Sequence, residues 1–192
     1  MATPWLDWRK IPLGIDEHTL EVRAIEVTSS DVGDAPMLPG LLDQTAASQA
    51  TVTVTADGAF DTRRCHDAIA TRGADAVIPP RKNAKPWTPD SAGAVARNEA
   101  LRTSRRLGRT IWRRWSGYHR GSRAEVKMPR RSRAEAKMPR RSRAEAKMRC
   151  VKLLGQRLTA RDFDRQVAEF HVRVAVPNRF TALGRPVTET VA

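Results

Sequence analysis

Apolar and polar residues alternate through residues 20–28, the period-two pattern of a half-buried antiparallel strand. The stretch from Arg9 onward reads as its partner, joined by a tight connection at 16–19 in which Asp16 is a turn residue. Pro12 falls within that first strand and places it at an edge. Ser29, Ser30 and Asp31 offer N-caps for a short helix with Met37, Leu38, Leu41 and Leu42 as its buried stripe. Alternation returns over 50–56 and ends at Asp57-Gly58, helical patterning runs over 61–70 and stops at Gly73, and a short strand follows at 76–79. Residues 79–93, rich in Pro, Lys and Asn, read as a loop. A helix is predicted over 94–118, with Trp112, Trp115 and Tyr118 three apart on one face. Residues 151–176 are helical again, broken at Gly155, capped by Thr159 with Asp162, and ended by Pro177. This order of elements is that of an α/β layer protein with a mixed sheet.

Between these patterned stretches lies a ten-residue unit written three times over 121–150: GSRAEVKMPR, RSRAEAKMPR, RSRAEAKMRC. Each copy carries one glutamate, at Glu125, Glu135 and Glu145. Solenoid repeats run about 20–50 residues, because each must form a supersecondary unit. Ten residues also drift by about 80° around a helix per copy, so the three glutamates cannot line one face. Pro129 and Pro139 interrupt such a helix besides. The repeat therefore reads as an insertion, and three segments follow: 1–120, 121–150 and 151–192.

Charge sharpens the picture. The 192 residues carry a net charge of +14, and the repeat alone, with eleven Arg or Lys against three Glu, supplies +8 of it. The Arg-dense stretch 102–120 adds a second basic block, so the charge is clustered, which points to a polyanion such as nucleic acid. Forty per cent apolar residues argue against wholesale disorder. No apolar run reaches the ~18–20 residues that cross a bilayer, and the N-terminus lacks the apolar core of a signal peptide. A cytoplasmic, nucleoid-associated protein with no membrane partner is the expectation. Two cysteines, Cys65 and Cys150, suggest neither a disulfide framework nor a zinc site.

The candidate chemistry begins at TADGAFD, residues 55–61. From its residues alone Asp57 is open to two readings, a turn or helix-capping aspartate and a strand-end carboxylate placed for chemistry. The motif resembles the second-aspartate motif of bacterial insertion-sequence DDE transposases. One branch of that family carries the signature Tyr, two residues, Arg, three residues, Glu, six residues, Lys. Here Tyr118 is followed by Gly121 where the arginine belongs, while the third repeat copy has Arg141, Glu145 and Lys152 in register but Met138 in place of the tyrosine. Deleting residues 121–140, two whole units, restores all four positions. The stretches RKNAKPW, IWRRWSGYHR and VKLLGQRL also resemble this family.

The resemblance implies a ribonuclease H-like mixed sheet with flanking helices, truncated at its first strand and carrying the basic insertion. It implies Mg²⁺ held by carboxylates, with Asp57 and Glu145 as ligands, in-line attack on DNA phosphodiesters, and Tyr118, Arg141 and Lys152 on the DNA. Trp112, Trp115 and Tyr118 could stack on a splayed base or form a buried helix face. The family's first metal aspartate lies on a strand before residue 9, and neither Asp7 nor Asp16 replaces it. The expected protein is thus a catalytically silent transposase fragment. Alternatively it is the downstream half of a frameshifted enzyme, or a non-catalytic DNA-binding protein that assembles with itself or with a full-length transposase.

Overall fold

In a computed structural model the protein is described over residues 10–46, 51–118, 143–155, 158–160 and 162–183, with the side chains of 143–146 left aside. Two of the expected strands come first, β1 (Leu13–Ile15) and β2 (Val22–Ile25), paired antiparallel with Leu13 opposite Ile25 and a bulge after Gly14. Their connection is an Asx turn: Asp16 Oδ1 accepts from the amides of His18 (2.8 Å) and Thr19 (3.0 Å). Those bonds, the Thr19 amide foremost, hold the Asp16 carboxyl below the ordinary range against the opposing effect of burial. Pro12 sits just before β1, where its carbonyl accepts from Glu26 and its missing donor costs the ladder nothing.

Helix α1 (Leu38–Asp43) buries Leu38, Leu41 and Leu42, as the stripe predicts. Its entry differs from expectation. A 3₁₀ turn over Ala35–Met37 leads into α1, and no side chain caps either. Ser29 donates instead to Asp31, away from any helix start. Strand β3 (Thr53–Thr55), helix α2 (Arg63–Thr71) and strand β4 (Asp75–Val77) form a β-α-β unit with β3 and β4 parallel, Thr53 opposite Asp75. Both strands are shorter than the alternation suggested, and β4 begins one residue earlier.

The helix expected over 94–118 is two. Gly108, at φ +82° and ψ 151°, breaks it into α3 (Ala92–Leu107) and α4 (Arg109–Trp115). That backbone conformation is open to glycine and strained for other residues, so the chain turns there rather than continuing. Helix α5 (Arg143–Leu153) begins within the third repeat copy, and α6 (Phe163–Ala182) follows. Thr159 does not cap α6; its N–H and hydroxyl are both held by Glu169. Pro177 does not end α6 either but lies within it. Proline supplies no N–H to the helix ladder, yet the next residue fastens the helix to β2. Asn178 Oδ1 accepts from the Val22 amide (2.9 Å) and Nδ2 donates to the Val22 carbonyl (2.8 Å). Tertiary bonding overrides the local breaker.

The architecture is α/β, with strands of both senses flanked by helices. Among the described residues four strands make two separate two-stranded ladders. Each ladder has its own core. Val22, Ile25 and Val27 pack with Val151, Phe170 and Val174 of α5 and α6, while Leu38, Leu42, Cys65, Ile69 and Ile78 pack together beneath β3 and β4. Helix α1 touches β1 and β2 as well as α2 and so spans the two. Among the described residues no helix is long and apolar enough to cross a membrane.

Candidate functional site

Strand β3 delivers Asp57 to a tight turn. Its backbone is extended (φ −77°, ψ 176°), and Oδ1 accepts from the Ala59 amide at 2.8 Å, capping the 3₁₀ turn Gly58–Phe60. The carboxylate stays exposed at the C-terminal end of a parallel strand, where open α/β sheets place their ligands. Both readings of Asp57 are therefore compatible, since Oδ1 caps the turn while the residue stays exposed. Gly58 packs beneath the strand end of β4. A Cβ there would lie 3.3 Å from the carbonyl oxygen of Pro79.

Four residues on, Asp61 is 5% exposed and sits at the centre of a network the sequence did not disclose. Arg97 of α3, itself 3% exposed, donates from Nε (3.0 Å) and Nη2 (3.1 Å) to its two oxygens. The Arg81 amide adds a third bond at 3.0 Å. His66 Nε2 lies 3.3 Å from Oδ1, within ion-pair reach though off the line of a well-formed hydrogen bond. Burial pushes the Asp61 carboxyl up, but His66, Arg97 and the Arg81 amide outweigh it and hold it well below the carboxylate range. Trp87 closes the group: the Arg97 guanidinium stands 4.1 Å from its ring centroid, and His66 meets it edge-on at 5.5 Å.

This network anchors the loop of residues 78–91, and arginines stake that loop's main chain along its length. Arg109 donates to Pro80 O (2.9 Å), Arg105 to Ala84 O (2.6 Å), Arg97 to Lys85 O (2.6 Å) and Arg63 to Thr88 O (3.1 Å). Asn98 pairs with both backbone groups of Trp87. Arg81 reaches the other way, to the carbonyls of Gly58 (3.3 Å) and Ala59 (3.1 Å). The Asp57 turn and the basic loop are thus tied together. Asp61, Arg81, Asn83, Ala84, Lys85, Trp87 and Arg97 line an open pocket of about 370 Å³ between them.

The remaining candidate residues lie elsewhere. Trp112 is buried, Trp115 is 74% exposed, and α4 stops at Trp115, so Tyr118 lies beyond the helix and the three aromatics share no face. Tyr118 is half-buried with the Arg113 guanidinium 5.5 Å from its ring. Lys152 is exposed on α5, which packs on β1 and α6. Glu145 falls in α5, but its side chain lies outside the described residues, as does Arg141. The structure ties the Asp57 turn to the basic loop through Arg81. The signal for the basic loop was present in RKNAKPW, whose cations alternate with loop formers after a strand.

A family model for the transposase DDE domain matches residues 2–178. The chain belongs to that family. No solved structure matches it. The Mg²⁺ expected of a DDE transposase needs hard oxygen ligands from several carboxylates. Asp57 is one such donor, but among the described residues no group of three or more His, Cys, Asp or Glu is placed to hold a metal ion. The described part of this DDE domain does not by itself fit the metal, and no catalytic step is derived through it.

Proposed function

We propose that the protein is the later part of the catalytic domain of an insertion-sequence DDE transposase of the Tyr-Arg-Glu-Lys branch, acting on DNA and catalytically silent alone. The observation that carries this reading is Asp57, exposed at the end of a parallel strand within a chain matched to the family over residues 2–178. In this reading Asp57 and Glu145 are the surviving metal ligands, Tyr118, Arg141 and Lys152 contact DNA, and residues 121–140 are an insertion in a ribonuclease H-like core. The test is nicking of supercoiled plasmid carrying the cognate terminal repeats by the purified chain with Mg²⁺. No nicking above background is expected. Nicking that disappears in Asp57→Ala would show an active enzyme.

A second reading, the downstream half of a split enzyme, is favoured by the side of β3 that has no partner strand among the described residues. Val52, Val54 and Ala56 face β4 with their backbone groups, so those of Thr53 and Thr55 point away from it, beside the exposed Asp57. A strand edge of this kind accepts another strand. Under this reading, co-expression with the upstream frame yields a copurifying complex that nicks DNA, and failure to copurify removes it.

A further inference from the structure

The repeat is the most basic segment of the sequence, but the described residues hold a second concentration of cations whose purpose the packing alone does not explain. Seven cationic side chains, Arg63, Arg81, Lys82, Lys85, Arg97, Arg105 and Arg109, lie on or against the loop of residues 78–91. Three carboxylates touch the same assembly. Asp61 pairs with Arg97, Asp90 with Arg63, and Asp67 accepts from Ser91 at 2.6 Å. The surplus is therefore positive. Lys82 and Lys85 are exposed, and among the described residues no carboxylate lies in ion-pair range of either ammonium.

The manner in which the arginines are used matters as much as their number. Arg105 and Arg109 each spend a bond on a loop carbonyl, and a guanidinium has five N–H donors. A neutral amide or a lysine-free loop would fasten the backbone with less mutual repulsion. Gathering cations at one rigid surface costs stability through self-repulsion and returns it when a polyanion neutralises them. Rigidity favours such a partner too, because the loop is fixed by Asn98 and the Asp61–Arg97 pair and need not be ordered on binding.

We propose that this arginine-staked loop, with the pocket lined by Asn83, Lys85 and Trp87, is the surface that docks the phosphate backbone of DNA and aims it at Asp57. The inference rests on the transposase reading and adds a place: the strand enters over the folded loop, independently of the basic repeat. Arg81 is the link, since it belongs to the loop yet holds the two carbonyls that follow Asp57. Lys82 and Lys85 neutralise phosphates, and the surrounding guanidiniums supply the field.

The test is fluorescence anisotropy of a short labelled random-sequence DNA duplex, titrated with the full chain over a range of salt concentrations. Three proteins are compared: unaltered, Lys82→Ala/Lys85→Ala, and a control with the same charge change on exposed α6 positions, Arg165→Ala/Arg179→Ala. The loop variant should bind about tenfold more weakly, and its log–log salt slope should fall by about 1.8, or 0.9 per phosphate released. The control should match the unaltered chain, and the thermal melts of all three should coincide. Equal losses in loop variant and control, or no loss in the loop variant, would overturn the inference while leaving the transposase reading intact. Absence of DNA binding by the unaltered chain would overturn both.

Discussion

The two ladders of this molecule are held in opposite ways. Around β3 and β4 the decisive contacts close over short stretches: Asp61 to Arg97, Arg63 to Asp90, Trp87 to Asn98, Arg109 to Pro80. Helix starts there carry side-chain caps, Thr62 to the Cys65 amide and Ser91 to the Ala94 amide. Around β1 and β2 the core joins Val22 and Ile25 to Phe170 and Val174, across most of the chain. Its helix α6 has no side-chain cap and leaves Val172, Phe180 and Leu183 largely exposed. Local closure gives one unit a buried ion pair beside its apolar core, and distant closure makes the other dependent on a few long-range bonds. Asp57 sits on the locally closed unit.

The most damaging change to this division is Asp61→Asn. It leaves Arg97 buried without its counter-charge, which costs about 3–5 kcal/mol. Hydrogen exchange followed by mass spectrometry should show protection lost in α2, α3 and the loop of residues 78–91, with α5 and α6 affected less. Acid should reproduce the effect. The Asp61 carboxyl is depressed in the folded protein, so its contribution is complete above the unfolded value near 4 and drains away as pH falls below it. The stability curves of the parent and Asp61→Asn should therefore converge as pH drops through the low-acid range. Parallel curves would mean that Asp61 titrates normally.

The complementary break is Phe170→Ala. Phe170 is 5% exposed in the apolar cluster of the first ladder, and truncation of such a ring costs about 3 kcal/mol. Exchange should accelerate in β1, β2, α5 and α6 while α2 and α3 keep their protection. Uniform loss everywhere would show that α1, which touches both units, welds them into one cooperative body.

The same contrast explains what the sequence disclosed. The strand ending at Asp57, the helix stopping at Gly73 and the Asx turn at Asp16 follow from neighbours a few residues away, and all three are present. Asp61 reads as the start of a helical pattern and lies before the helix instead, because its burial depends on Arg97 and His66, which no local pattern connects. The aromatic face of Trp112, Trp115 and Tyr118 failed because α4 ends at Trp115, a boundary that spacing alone did not reveal. Gly108 was a readable breaker passed over within a long helical pattern. Pro177 erred the other way, a readable breaker overruled from a distance.

That last case gives the mildest test of the comparison. Asn178→Ala removes the amide that satisfies both backbone groups of Val22, a loss of about 1–2 kcal/mol at a part-buried site. If this pairing is what carries α6 past its proline, the residues after Pro177 should fray. Helical content by circular dichroism should then fall slightly, and the Val22 amide should exchange faster. Thr181, whose hydroxyl donates to the Pro177 carbonyl at 2.8 Å and accepts from Lys147, would lose its position with the fraying turn. Protection across β3 and β4 should not change. An unaltered α6 would transfer credit to the Lys147–Thr181 contact, and the first ladder would then be fastened to α6 through α5 rather than through its own strand edge.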